Sequence, residues 1–181
     1  TGNVDFTGQA LTLNAALGSG GTVEITNAGT FTTDAAGDIT STGAFTQNGA
    51  GTNSLAGDVT TTDSNIGFAT AVTLTGPVAL STGAGAGNIT FTGTIDGGQA
   101  LTLTAGTGDI NFDGAVGGGE DGALGALTIN ASDDVNVLST MAVDSFIQST
   151  AGTGTVPVDG AITASGGAIT LNANTIDLNA S

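Results

Sequence analysis

Between Gly87 and Ser132 one two-part phrase occurs twice. Residues 87–93 read Gly-Asn-Ile-Thr-Phe-Thr-Gly and 99–105 read Gln-Ala-Leu-Thr-Leu-Thr-Ala; 108–114 then read Gly-Asp-Ile-Asn-Phe-Asp-Gly and 125–132 read Gly-Ala-Leu-Thr-Ile-Asn-Ala-Ser. Gly87 to Gly108 is 21 positions and Ala100 to Ala126 is 26, the excess falling in the Gly-Gly-Gly-Glu-Asp-Gly run at 117–122. Short alternating strands that recur about every twenty residues are the mark of a stacked solenoid. No other feature restricts the fold as strongly.

Parity within each phrase is consistent. Leu101 and Leu103 point to one side while Thr102 and Thr104 point to the other, because successive side chains of a strand alternate. The same rule gives the inward pairs Val4/Phe6, Leu11/Leu13, Val23/Ile25, Val72/Leu74, Ile89/Phe91, Ile110/Phe112, Leu127/Ile129, Val135/Val137, Ile169/Leu171 and Ile176/Leu178. Outward positions are mostly Thr, Asn and Asp, and Thr suits a pleated surface because its β-branch is already stiff. Helix fails on two counts: the period is two, and a Gly every seven or so residues would cost about 1 kcal/mol each in a helix interior. The expected fold is all-β, a right-handed parallel β-helix (β-solenoid) with roughly 20 residues per coil, the hand following that of parallel crossovers. About nine coils at the strand spacing of about 4.8 Å make a rod on the order of 40 Å, with like residues stacked on like: Phe on Phe, Asn on Asn, Thr on Thr.

A longer period is also legible. Gly2–Gly8 matches Gly87–Gly93, Gln9–Leu13 matches Gln99–Leu103, Thr22–Thr26 resembles Ala126–Asn130, Gly43–Thr52 resembles Asp144–Thr153, and Gly57–Thr60 resembles Gly160–Thr163. The order is conserved between halves while the offset drifts. Residues 1–181 therefore read as a single β-solenoid with an internal duplication, roughly 1–85 and 86–181.

Composition bounds what such a chain can do. There are 16 acidic residues and no Lys, Arg or His, for a formal net charge of −16. No salt bridge to a side-chain cation can form within the chain, and the cations that neutralise phosphate are missing, which excludes nucleic acid as a direct ligand. Anionic membranes repel such a surface. Its plain role is solvation, with Ca²⁺ as the one cofactor the carboxylates could attract. Gly contributes 32 residues without a collagen period, which fits a chain that turns every few residues. The regular Val, Ile, Leu and Phe pairs argue against disorder. Cys is absent, so there is neither a disulfide nor a thiolate ligand. No apolar run approaches the roughly 20 residues of a membrane helix. Thr1 begins in mid-phrase without a basic-then-apolar leader, so the chain reads as a piece of something longer.

At ALTLTAGTGDINFDG (100–114) and GALTINASDDVNV (125–137) the sequence resembles the repeat region of large bacterial exoproteins, the filamentous-haemagglutinin-like and autotransporter-like adhesins. The likeness covers most of the chain but is compositional, with no signature residue. It implies a secreted or cell-surface shaft built as a parallel β-helix. The amino-terminal secretion domain of two-partner exoproteins and the positive residues of many such adhesins are not found in this chain.

Chemistry is sparse. Without His, Cys or Lys the common triads, Cys nucleophiles and Cys/His zinc sites cannot be assembled. A carboxylate pair of the glycosidase kind is the remaining option. Asp109 and Asp113 lie four apart, but Trp, Tyr, Arg and Lys, which would hold a sugar, are all absent, so both are expected to be turn and surface residues. Glu120-Asp121, Asp133-Asp134 and the Gly-Asp corners at Asp38, Asp58 and Asp109 offer oxygen ligands to Ca²⁺. Their spacing matches neither the EF-hand loop nor the calcium nonapeptide, and turn capping by Asp and Asn accounts for them. The Thr-x-Thr pairs at 73/75, 90/92 and 102/104 resemble ice-binding ladders but drift to Asn-Asp at 111/113, Thr-Asn at 128/130 and Asn-Asn at 172/174. Asn stacks serve better as internal or edge ladders.

The sequence thus predicts a non-enzymatic structural or adhesive shaft segment of an extracellular bacterial fibre, with no catalytic, cofactor or metal site assigned. Expected partners are identical subunits or adjoining repeats stacked end to end, and cell-surface or matrix components. The alternatives are a ligand- or ice-binding β-solenoid module, or a polysaccharide-acting β-helix enzyme. Recognition, if any, would sit where the repeat breaks, in 114–125 or 138–157.

Overall fold

In a computed structural model the chain is a β-solenoid without helix, of about eight turns and about 21 residues per turn. The structure describes residues 2–120, 122–149 and 154–179. Thr1, Asp121, residues 150–153, and Ala180 and Ser181, which belong to phrases read above, lie outside the described residues.

Each turn visits three faces. Face A carries β1 (Val4–Gly8), β4 (Val23–Asn27), β7 (Phe45–Gln47), β10 (Ile66–Phe68), β13 (Ile89–Phe91), β16 (Ile110–Phe112), β18 (Val135–Val137), β20 (Thr155–Val158) and β23 (Thr175–Leu178). Face B carries β2 (Leu11–Leu13), β5 (Phe31–Thr33), β8 (Asn53–Leu55), β11 (Val72–Leu74) and β14 (Ile95–Asp96). Face C carries β3 (Leu17–Ser19), β6 (Ile39–Ser41), β9 (Val59–Thr60), β12 (Val78–Ser81), β15 (Leu101–Thr104) and β17 (Leu124–Ala131). Beyond β14, face B continues through parallel bridges from Ile95 to Val116 and from Val116 to Met141. The long β19 (Met141–Gln148) then serves two faces: its first half pairs with β21 (Ile162–Ala164) and its second half with β22 (Ile169–Thr170). Every pairing between strands is parallel, as expected when a chain returns to the same face one turn later.

The expected parallel stack is therefore present, with two revisions. There are about eight turns rather than nine. Each turn also has a third strand: the two-part phrase supplies faces A and C (β13 and β15, then β16 and β17), and face B lies in what reads as the turn between them. Turn length on face A runs from 19 residues, Val4 to Val23, to 25, Ile110 to Val135, and reaches 26 on face C, Leu101 to Leu127. The longest turn contains the 117–122 run, a small excursion closed by an antiparallel Gly119–Gly122 bridge, with Gly117, Gly118 and Gly122 at φ of +65°, +88° and +82°.

The matched phrases of the two halves do not keep their faces. Gly2–Gly8 and Gly87–Gly93 both fall on face A, but Gln9–Leu13 is on B and Gln99–Leu103 on C. Gly57–Thr60 is on C and Gly160–Thr163 on B. Such phrases share the demands of a strand after a corner rather than one place in the turn.

The core is a single column of inward side chains. Val23/Ile25, Val72/Leu74, Ile89/Phe91, Leu101/Leu103, Ile110/Phe112, Leu127/Ile129 and Val135/Val137 are all buried. On face A the register stacks Phe68, Phe91 and Phe112, with ring centroids 5.6 and 5.8 Å apart and planes within 7° of parallel. Phe45 is displaced by two positions, being opposite Ile66, and meets Phe68 at 50° and 5.2 Å. Offset stacks of this kind add to area burial. The inward pairs of the outermost turns have neighbours on one side only. Val4, Phe6, Leu11 and Leu13 are partly buried, whereas Ile169 and Ile176 are 43% exposed and Leu178 is 71% exposed.

Phe91→Ala should cost about 3–5 kcal/mol, because it removes the middle of a closed stack that cannot collapse from either side. Phe6→Ala, in an outer turn, should cost clearly less. Urea denaturation midpoints of the two variants test the ordering, and equal losses would contradict the stacked-core account.

Candidate functional site

The polar residues singled out in the sequence lie mainly at corners, where they link one turn to the next. At the entry to face A, the Asn65 Oδ1 accepts the Asn88 N–H at 2.9 Å, and Asn88 Oδ1 accepts the Asp109 N–H at 2.9 Å. Asp109 Oδ1 then accepts the Asp134 N–H at 3.2 Å, and Asp134 Oδ1 accepts the Thr155 N–H at 2.5 Å. The backbone closes the link from the other side: the Ile89 N–H donates to Asp109 O at 2.9 Å and the Ile110 N–H to Asp134 O at 3.0 Å. A one-carbon side chain with an acceptor oxygen has the reach for this, which explains the Gly-Asx-Ile motif. The Gly belongs to the same device, since a Cβ on Gly108 would sit 2.3 Å from Gly87 O.

The entry to face C repeats the arrangement with Asp. Asp38 Oδ1 accepts the Asp58 N–H at 2.9 Å and Asp58 Oδ1 accepts the Ala79 N–H at 2.7 Å. Asp63 takes the Gly85 N–H at 2.6 Å and Asp96 the Gly119 N–H at 2.9 Å. Asp63 itself has φ of 49°, the left-handed region that Asp tolerates better than most residues. Turn capping was the expected role for Asp38, Asp58 and Asp109, but the cap acts across turns rather than within one. Sequence reasoning missed this because the partners lie some twenty residues apart.

A second polar feature is internal. Gln47 and Asn53 occupy inward positions in the third turn, and Asn27 in the second, each 1% exposed. Gln47 Nε2 donates to Asn27 Oδ1 at 2.8 Å and to Gly49 O at 3.1 Å, while Gln47 Oε1 accepts from the Asn53 amide at 3.3 Å and the Ala69 N–H at 3.2 Å. Asn53 Nδ2 also reaches Ala71 O at 3.1 Å. Along the exit from face C, buried hydroxyls pin the next corner: Ser41 Oγ donates to Gly43 O at 2.7 Å, Thr61 Oγ1 to Ser64 O, and Thr82 Oγ1 to Gly87 O at 2.8 Å. These groups hold loops in place, as buried polar groups must be satisfied.

Asp109 and Asp113 flank β16 in different settings. Asp109 is bonded to the backbone above it, and Asp113 is exposed after β16, its N–H donating to Phe91 O at 3.0 Å. Among the described residues no group of three or more carboxylates is placed to hold a metal ion. Glu120 is exposed on the 117–122 excursion, whose Asp121 is outside the described residues. The Thr-x-Thr pairs fall on three different faces: Thr73 on B, Thr90 on A and Thr102 on C. On the outside of A, the drift from Thr to Asn makes its own ladder, with Asn111 Nδ2 donating to Thr90 Oγ1 at 3.3 Å and Asn136 Nδ2 to Asn111 Oδ1 at 2.7 Å. No family model, curated protein or solved structure matches this chain.

If the corner role of Asp109 rests on its acceptor oxygen, Asp109→Asn should leave stability within about 0.5 kcal/mol, while Asp109→Ala should lose about 1 kcal/mol. Thermal or urea unfolding of the pair decides it; equal losses would mean that the charge matters instead. Gln47→Leu should cost roughly 1–3 kcal/mol, because Asn27, Asn53 and the Ala69 N–H lose a buried partner, measurable in the same unfolding assay.

Proposed function

We propose that this chain is a structural, adhesive shaft segment of an extracellular bacterial fibre or giant surface protein, and that it catalyses nothing. The observation that carries the reading is the use made of its polar side chains. Six Asp carboxylates, those of 38, 58, 63, 96, 109 and 134, accept a backbone N–H from the following turn. Groups that an enzyme would aim at a substrate are here spent on axial cohesion. The compositional likeness to adhesin repeats supports the same reading, and so does a surface that lacks cations and aromatic sugar platforms.

In this reading the solenoid acts as a spacer whose length grows by about 4.8 Å per turn. Adjoining repeats or further units stack on its ends, and any contact with cell-surface or matrix components is made where the repeat departs from its pattern, first at the 117–122 excursion. The acidic exterior keeps neighbouring shafts apart by like-charge repulsion, and Ca²⁺ is not needed to hold the turns together.

Electron microscopy of the native material should show rods of constant width, and deleting the segment from its parent should shorten them and lower surface attachment. Compact particles with no axial dimension, or attachment indifferent to the deletion, would overturn the shaft reading. Melting of the purified chain should be unchanged by a chelator; a melting temperature that falls by more than about 5 °C would make Ca²⁺ part of the structure, on the scale of 1 kcal/mol or more for a domain of this size. Trypsin has no Lys or Arg to cut, so resistance is better judged with a broad-specificity protease, which should leave the folded chain intact for hours while cutting a urea-unfolded sample in minutes.

A further inference from the structure

Asn48–Gly49 is the chain's one Asn-Gly pair, and the fold makes it hard to dispense with. Gly49 is buried in the A-to-B corner of the third turn, where a Cβ would sit 2.1 Å from Asn27 O and 2.2 Å from Asn27 N, so no other residue fits. Asn48 itself is exposed. Its N–H is pinned to Ile25 O at 3.0 Å, and both ends of its side-chain amide are held from the turn below. Asn48 Oδ1 accepts from Thr26 Oγ1 at 2.6 Å, and Asn48 Nδ2 donates to Glu24 Oε1 at 2.6 Å. The Gly49 N–H has no hydrogen-bond partner among the described residues. An unbonded backbone nitrogen thus directly follows an exposed side-chain amide, with no Cβ on its own residue to hinder approach. We propose that Asn48 is a self-modification site, at which the Gly49 nitrogen displaces ammonia from the side chain, and that Glu24 and Thr26 suppress the reaction for as long as the second and third turns stay stacked.

The step needs no reagent besides water. The Gly49 nitrogen bonds to Asn48 Cγ, the Cγ–Nδ2 bond breaks, and the proton lost from Gly49 N leaves on Nδ2 as ammonia. Water then opens the five-membered imide at either carbonyl. One opening restores the main chain with aspartate at 48; the other routes the main chain through the side chain as isoaspartate, longer by one carbon. Ring closure requires Cγ to swing onto Gly49 N, which it cannot do while Oδ1 and Nδ2 are committed to Thr26 and Glu24. Either product undoes that restraint, because a carboxylate at 48 cannot donate to Glu24 and repels it. Isoaspartate also lengthens a corner that has no room, against Asn27, and in which Gly49 O accepts Gln47 Nε2 at 3.1 Å. The modification therefore strikes the buried polar network of the second and third turns. Asn53, followed by the small Ser54, is protected more deeply: it is 1% exposed, and its Nδ2 donates to Gln47 Oε1 at 3.3 Å and Ala71 O at 3.1 Å. The Asp-Gly pairs at 96, 113, 121 and 159 can close the same ring, but they lose water rather than ammonia and keep their charge.

The inference does not depend on the shaft reading. Aged in mildly alkaline buffer, the folded 181-residue chain and a urea-unfolded sample should both gain one negative charge by ion-exchange chromatography. The unfolded sample should react at least tenfold faster, since in the folded chain the reaction waits on local opening. Peptide mass spectrometry should place aspartate and isoaspartate at 48. Glu24→Ala combined with Thr26→Val, at an exposed and a half-buried position, should remain folded by circular dichroism and raise the folded rate at least fivefold. Glu24→Gln, which keeps an acceptor oxygen in the same place, should leave the rate near that of the wild type. Should the double variant unfold, Glu24→Ala alone is read in the same way. Equal rates in folded and unfolded wild type, no charge gained in either, a folded rate indifferent to the loss of Glu24 and Thr26, or conversion of the folded chain at another Asn would each overturn the inference.

Discussion

Parallel stacking of one turn on the next is the constraint on which everything else in this molecule depends. A backbone that returns to the same face after about 21 residues places each residue about 4.8 Å from its counterpart, with no freedom to interleave different side chains as antiparallel sheets do. Whatever occupies a position must therefore fit its register partners above and below, and where these are of its own kind it must stack on itself. Planar rings do so at Phe68, Phe91 and Phe112. Asn and Asp do so at corners, because an acceptor oxygen lies over the N–H of the next turn. Gly is required where successive corner backbones approach too closely for any Cβ, as Gly108 does over Gly87.

Charge is the term that stacking handles least easily. Asp over Asp, as at 38/58 and 109/134, sets like carboxylates about one turn apart, and no cation in the chain compensates. At that spacing two charges in water repel by about 1 kcal/mol, less with salt. A hydrogen bond to an ionised acceptor contributes roughly 1.5–3 kcal/mol net, at the low end where solvent reaches it. The bond offsets the repulsion. An acidic solenoid is therefore affordable on the condition that its carboxylates face backbone donors, and the six cross-turn acceptors meet that condition. Asp5 and Glu24, directly opposite on the outside of β1 and β4, lack that arrangement. There Glu24 is instead held by Asn48 Nδ2 at 2.6 Å, from the next turn.

These stacking rules also explain which parts of the fold are legible in the sequence. Faces A and C announce themselves because inward pairs such as Ile110/Phe112 and Leu101/Leu103 are aliphatic or aromatic and bounded by Gly. Face B does not. Its strands shrink to two residues at Ile95–Asp96 and to a single bridge at Val116, too short for alternation to register. The stretch 27–61 is equally opaque, because Asn27, Thr33, Ser41, Gln47, Asn53 and Thr61 are inward and polar, the reverse of what periodicity takes as inward. The cross-turn role of the Asp corners was half legible: Gly-Asp marks a corner locally, while its hydrogen-bond partner is fixed only once the turn length is known. The matched phrases Gln9–Leu13, on B, and Gln99–Leu103, on C, set the same residues at two different places in the turn.

The polar interior of the second and third turns bears on how one register is chosen among many. A solenoid of uniform apolar columns can slip by a whole strand step with little loss, since Ile on Val is about as good as Val on Ile. Gln47 cannot slip. Its amide is satisfied by Asn27 from the turn below, by Gly49 in its own corner and, through its oxygen, by Ala69 in the turn above. Moving any one of the three turns leaves buried donors unpaired at about 1–3 kcal/mol each. That penalty falls more heavily on wrong registers than on the native one, where Asn53 Oδ1 lacks a partner, which is how a costly buried network selects a structure rather than merely adding to its stability. The parallel Phe stack lies in the turns that follow, at Phe68, Phe91 and Phe112. The chain therefore sets its phase with polar groups first and then extends it with apolar repeats that could not have set it alone.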